Sequence, residues 1–147
     1  MNMKRAAVLA SIILCGGGMA MGQTVWNDHP VNPVLGPGEP GSWDAGGRMA
    51  GAVVFDGSIW HVWYVGMNWD IGPDDDIGHA TSMDGGVTWL PDPDNPVLEN
   101  GEPGNWDEDR LWLPTVIYDG AQFHMWYSGV QGDYLQGGYA TSIDGTI

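Results

Sequence analysis

Hydrophobic and polar positions alternate with period two along several short stretches of the chain, each ended by glycine or proline. The clearest is WHVWYVG, residues 60–66. In an extended chain Trp60, Val62 and Tyr64 point to one face, and His61, Trp63 and Val65 to the other. Both faces are largely apolar, which suits a sheet packed between neighbouring sheets. The first set of strands is predicted near residues 50–55, 59–66, 77–82 and 87–90. Asp56-Gly57 separates the first two and is a strong signal for a tight hairpin. No stretch sustains a helical period, and glycine and proline recur too often to permit a long helix.

The pattern repeats. VWNDHPVNPVLGPGEPGSWD (residues 25–44) aligns with TWLPDPDNPVLENGEPGNWD (residues 88–107) at an offset of 88 − 25 = 63. The same offset carries Phe55-Asp56-Gly57 onto Tyr118-Asp119-Gly120, and WHVWYVG onto FHMWYSG (residues 123–129). After a shorter loop the offset is 139 − 79 = 60, and HATSMDG (residues 79–85) meets YATSIDG (residues 139–145). Four-stranded units repeated in series, apolar on both faces, predict an all-β fold: a β-propeller of four-stranded antiparallel blades. A β-sandwich is the alternative, although sandwiches rarely repeat in this way.

The expected domain spans residues 23–147, with blade 1 at about 44–90 and blade 2 at about 107–147. A propeller closes with about four blades or more, so two make an incomplete ring. Residues 23–26 align with 86–89 and read as a fourth strand without a preceding blade. Two expectations follow: the N-terminal part of a longer protein, or a small protein completing its ring by self-association.

Residues 1–22 stand apart. Lys4 and Arg5 precede an apolar run, residues 6–15, that is short for a bilayer, and Ala20-Met21-Gly22 suits a cleavage site. A secretory signal peptide is expected, placing the protein outside the cell or in a periplasm. Lipidation at Cys15 is the alternative, but Leu14 stands where a small residue is wanted. The sole cysteine lies in this leader, so a chain cleaved near Gln23 has no disulfide. Beyond the leader Arg48 and Arg110 face 19 acids, 2 − 19 = −17. Such a surface disfavours nucleic acid and anionic membranes as partners and serves solubility. Nine Trp and five Tyr argue against disorder.

Taken in order, NPVL, GxPGxWD, DG, WHxWYxG or FHMWYSG, and YATSxDG resemble the five-bladed propellers of the glycoside hydrolase family 43 and family 32 superfamily. The resemblance covers residues 25–147 as two blade repeats. It implies a carbohydrate-active protein acting on glycosidic bonds, of arabinanase or levanase type, without fixing one activity. A second resemblance is to the Asp-box of sialidase-like propellers, in Ser82-x-Asp84-x-Gly86-x-Thr88-Trp89. There the box is an outer hairpin, held by its Asp and Ser, with its Trp packed between sheets. That resemblance implies a non-catalytic glycan-binding or interaction propeller as the alternative function.

Asp44 and Asp107 each follow Gly-x-Trp and precede the innermost strand, where the five-bladed family presents its catalytic carboxylates. The second copy is richer, Trp106-Asp107-Glu108-Asp109-Arg110-Leu111-Trp112. Asp107, Asp109 and Asp44 are therefore the catalytic candidates, since glycoside cleavage usually needs two carboxyl groups across the bond. The competing role is structural: a residue repeated in each blade caps the same turn. Arg110 and Arg48 are candidates to bind sugar hydroxyls or carboxylates, with an ion pair to a local Asp as the alternative. Trp112 and Trp69 have no aromatic counterpart one repeat away and are candidates for stacking on sugar rings.

Asn27-Asp28-His29-Pro30 resembles the nucleophile motif of invertase-like enzymes only superficially, and Asp28 reads as a solvated or turn-capping residue. DIGPDDD, residues 70–76, offers clustered oxygens to calcium but lacks the Asp-x-Asp-x-Asp-Gly spacing, so an exposed loop is expected. No His, Cys and carboxylate spacing suggests another metal, and no cofactor is expected. His61 and His124 repeat on an aromatic strand and read as structural.

Overall fold

The computed structural model describes residues 25–70, 72 and 74–146. The expected leader, residues 1–22, lies outside the described residues, as do Ile71 and Pro73 of the acidic loop. Among the described residues there are seven strands and no helix: β1 (Gly47–Phe55), β2 (Trp60–Met67), β3 (Asp76–Ser82), β4 (Leu90–Pro91), β5 (Arg110–Tyr118), β6 (Phe123–Gln131) and β7 (Tyr134–Ser142). Strands β1 to β4 form one antiparallel sheet in chain order, and β5 to β7 a second. The fold is all-β, and neither sheet closes on itself.

The repeated Asp-Gly pairs make the β1–β2 and β5–β6 hairpins. Asp56 Oδ1 accepts from the amides of Ser58 and Ile59 at 2.7 and 2.8 Å. Asp119 Oδ1 accepts from Ala121 and Gln122 at 2.8 and 2.9 Å. Both turns satisfy donors that a two-residue reversal would otherwise leave unpaired.

Strand β4 is shorter than the predicted 87–90, because the preceding residues are committed to a turn. Asp84 Oδ1 accepts from the amides of Val87 and Thr88 at 3.1 and 2.9 Å, and Ser82 Oγ from Gly86 at 2.9 Å. After β4 the chain follows the free edge of β3. There Asn95 accepts from the His79 amide at 2.7 Å and donates to the His79 carbonyl at 2.8 Å. The Val97 amide donates to the Ile77 carbonyl at 2.9 Å.

Strand β2 is buried on both faces from His61 to Gly66, as its doubly apolar pattern requires. On one face Trp63 and Ile77 pack with Leu111, Val116, Phe123 and Met125 of the second sheet. Trp63 also donates its indole N–H to the Gly145 carbonyl at 2.9 Å, a buried bond between the two repeats. On the other face Val62, Tyr64 and Ala80 pack under Leu35, Trp43 and Trp89. His61 and His79 are buried against the second sheet, with His61 Nδ1 and His79 Nε2 2.9 Å apart. Asp56 and Asp92 flank them at 3.3 and 3.4 Å.

Candidate functional site

The starts of β1, β3 and β5 and the end of β2 lie at one end of the sheets, as their antiparallel registers require. The loops and strand starts at this end carry all seven residues singled out from the sequence, with Arg48 on β1 and Arg110 and Trp112 on β5, and they fall into three groups.

The first group surrounds Asp44, which is 2% exposed. Its Oδ2 accepts from Arg48 Nε at 2.6 Å and from the Tyr64 hydroxyl at 3.3 Å. Its Oδ1 accepts from Ser42 Oγ at 2.7 Å. The Arg48 guanidinium also lies over the Tyr64 ring, 5.3 Å from its centroid. Burial pushes the Tyr64 hydroxyl well above its usual range, opposed by the Arg48 charge. Gly38 is required by this packing, because a Cβ there would overlap the Asp44 carboxylate. Asp44 and Arg48 thus form a buried ion pair that ties the GxPGxWD loop to the sheet.

The second group holds Asp107 and Asp109. Asp107 repeats the position of Asp44, and a Cβ at Gly101 would overlap it in the same way. The tyrosine also repeats, but the Tyr127 hydroxyl stands 3.5 Å from Asp107 Oδ2. The position of Arg48 is occupied by Leu111, so no cation repeats with it. Asp107 is half-buried where Asp44 is fully buried. Asp109 Oδ2 accepts from the Gly132 amide at 2.6 Å and holds the β6–β7 turn. Glu108 accepts from the Gly104 amide and from Gln131 Nε2.

The third group is a groove of about 360 Å³ lined by Trp69, Gly72, Asp75 and Arg110. Trp69 is 75% exposed and Asp75 is 8% exposed. Asp75 Oδ2 accepts from Trp112 Nε1 at 2.8 Å and lies 3.9 Å from Arg110 Nε. Arg110 in turn sits over the Trp112 ring at 5.7 Å. The Leu111 amide donates to the Asp75 carbonyl at 2.7 Å, which fixes the groove floor to β5. The structure therefore brings Trp69, Arg110 and Trp112 together, and sets Asp44 with Arg48 apart as an ion-pair cluster.

The acidic loop joins β2 to β3 and is exposed at Asp70 and Asp74, as expected, but its last two acids turn inward. Asp75 is buried under Trp112, and burial raises the affinity of Asp76 for its proton, against a 2.8 Å bond from the Asn100 amide. Asp75 was not among the sequence candidates. Its signal is a contact with a residue 37 positions away, and the repeat places Gly132-Asp133 opposite that loop. Among the described residues no group of three or more His, Cys, Asp or Glu side chains is placed to hold a metal ion.

The groove offers an exposed indole, a guanidinium and a carboxylate within one surface depression. That combination can stack a flat apolar face and hydrogen-bond hydroxyls beside it. Compared with protein-family models and with curated proteins, the chain matches none.

Proposed function

We propose that the chain is part of a secreted, carbohydrate-active β-propeller of glycoside hydrolase type, with the Trp69–Arg110 groove as its sugar-facing surface. A propeller extends the packing already present: a four-stranded antiparallel sheet, apolar on both faces, with a second sheet of the same sequence pattern against one of them. Further units would complete the ring.

The observation that carries the functional reading is the exposed Trp69 beside the Arg110–Trp112 pair. A sugar ring presents a C–H face to an indole and hydroxyls to a charged donor, and the groove supplies both. Asp75 orients Trp112 and Arg110 through one carboxylate oxygen. Asp107 or Asp109, at the same end of the sheets, is the proposed catalytic carboxylate. The general acid would come from a further unit, so the 147-residue chain binds glycan without turnover.

Affinity electrophoresis through a panel of polysaccharides tests this reading, alongside an assay for released reducing sugar. Retardation by at least one polysaccharide with no sugar release is the expected outcome. Unretarded migration across the panel contradicts the reading, and sugar release contradicts the assignment of the acid to another unit.

A second reading, a non-catalytic glycan-binding propeller, is favoured by the engagement of all three candidate carboxylates. Asp44 is ion-paired, Asp107 contacts a tyrosine, and Asp109 caps a turn. Assembly of the complete ring followed by an activity assay separates the two.

A further inference from the structure

Four titratable side chains form one line at the junction of the two sheets. His61 Nδ1 and His79 Nε2 lie 2.9 Å apart. Asp56 Oδ2 is 3.3 Å from His61 Nε2, and Asp92 Oδ2 is 3.4 Å from His79 Nδ1. Both imidazoles are buried, and the second sheet covers them. The Phe123 ring stands 4.9 Å from the His61 ring, and the Gly145 backbone rests on the imidazole contact. A Cβ on Gly145 would stand 3.5 Å from His79 Nε2 and 3.7 Å from His61 Nδ1. The Gly145 carbonyl is also the acceptor of the buried Trp63 indole.

The line has three contacts, and each requires one hydrogen. Both ends are carboxylates, which at neutral pH accept and do not donate. The amides of Ile59 and Ser58 hold the Asp56 carboxyl below its usual range. The outer hydrogens must therefore come from His61 Nε2 and His79 Nδ1. A neutral imidazole carries one N–H, so two neutral rings use both of their hydrogens on the carboxylates. Two bare lone pairs would then face each other at 2.9 Å. A third hydrogen on an inner nitrogen completes the line and gives the pair one positive charge between two negative ones.

The second repeat carries the contrasting arrangement. His124 Nε2 meets Asp119 Oδ2 at 3.0 Å, as His61 meets Asp56, but its Nδ1 meets the Tyr139 hydroxyl at 2.7 Å. A hydroxyl donates to a bare nitrogen, so His124 is satisfied while neutral. Tyr139 stands at the position of His79, at the offset of 60. The same place in the two repeats thus holds one ring that needs an added proton and one that does not.

We infer that the His61–His79 pair is a proton-operated latch on the sheet junction, which holds one shared proton when closed and opens on taking a second. Two doubly protonated rings would set N–H against N–H at this separation, with like charges repelling. The rings must part, and the Gly145 turn that rests on them is displaced together with the Trp63 bond. The charged groups facing the pair are Asp56 in the β1–β2 turn, Asp92 after β4 and Asp144 after β7, while β6 contributes the uncharged Phe123. Burial opposes uptake of the second proton at His79, Asp92 and Asp144 favour it, and the charge on the pair opposes it.

Nitrogen-15 NMR of the imidazoles at neutral pH tests the proton count. Summed over its four nitrogens, the pair is expected to show three protonated and one bare, and His124 one of each. Two protonated and two bare nitrogens in the pair would overturn the inference. The Trp63 indole signal reads the junction, and in wild type it is expected to leave its hydrogen-bonded position as pH falls below about 6.5. In His79→Tyr, which copies the Tyr139 arrangement, that signal is expected to hold its position and His61 to lose the extra proton. If circular dichroism shows that His79→Tyr is unfolded, His79→Gln replaces it, since its amide also donates to His61 without an added proton. A Trp63 signal that holds its position in wild type, or moves equally in the folded variant, would overturn the inference. Simultaneous movement of every tryptophan signal reports global unfolding and overturns it as well. Neither readout involves glycan, so the outcome is independent of the sugar-binding reading.

Discussion

The indole of Trp112 donates to the carboxylate of Asp75 at 2.8 Å, joining the acidic loop of the first repeat to β5, the first strand of the second sheet. Asp75 is nearly inaccessible, and the same oxygen faces Arg110. A buried acceptor removed from such a contact leaves its donor unsatisfied, at a cost of about 1–3 kcal/mol. Asp75→Ala is therefore expected to lower unfolding free energy in urea by that amount. Trp112→Phe, which removes the N–H together with part of the indole's packing surface, is expected to cost a similar amount.

The two copies of the GxPGxWD aspartate should respond differently to substitution. Asp44 is buried with Arg48, and breaking a buried pair from one side costs about 3–5 kcal/mol. Arg48→Met is expected to fall in that range by chemical denaturation, because it strands the Asp44 charge. Asp107 is half-buried and has Leu111 where Asp44 has Arg48, so Asp107→Asn is expected to cost about 1 kcal/mol or less. Equal losses at the two sites would contradict the asymmetry.

The paired histidines give stability a defined pH dependence. Burial lowers the affinity of His79 for its proton, opposed by Asp92 and reinforced by the neighbouring His61. The unfolded chain therefore binds more protons than the folded one just below the ordinary histidine value of about 6.5. The stability contribution of neutral His79 is complete above that value and is lost as pH falls through it toward the lowered folded value. His79→Gln is expected to flatten the fall of the unfolding free energy as pH drops below about 6.5. An unchanged slope in the variant would assign the pH dependence elsewhere.

The Ser82–Asp84 turn makes a prediction at lower pH. The Thr88 amide, the Ser82 hydroxyl and the Val87 amide hold the Asp84 carboxyl at about 2. Its contribution is complete above the ordinary carboxyl value and disappears as pH falls through about 2. A carboxyl titration by NMR is expected to show Asp84 among the last to protonate, and Ser82→Ala to move its midpoint upward.

Much of the fold is written in the local pattern. Period-two alternation placed β1, β2 and β3 within a few residues of their observed bounds, and Asp56-Gly57 marked a hairpin that the Asp56 side chain does hold. Strand β4 was less legible, because Asp84 draws Val87 and Thr88 into a turn that their β-branched side chains do not announce. At the groove the sequence marked Trp69 and Trp112 as departures from the repeat, and Arg110 as one of two arginines beyond the expected leader. Asp75 was hidden, since one acid among several in a loop is distinguished only by the long-range partner it meets. The His61–His79 contact was likewise illegible, because Tyr139 replaces the second histidine one repeat later.

The sugar-facing role of the groove is tested most directly by calorimetric titration of wild type, Trp69→Ala and Trp112→Ala with the oligosaccharide unit of whichever polysaccharide retards the chain. Loss of an aromatic stacking partner worth about 1.4 kcal/mol corresponds to tenfold weaker binding. The expected result is measurable binding by wild type, weakened about tenfold by either substitution while the fold is retained. Binding that is unchanged in both variants would contradict the assignment of this groove.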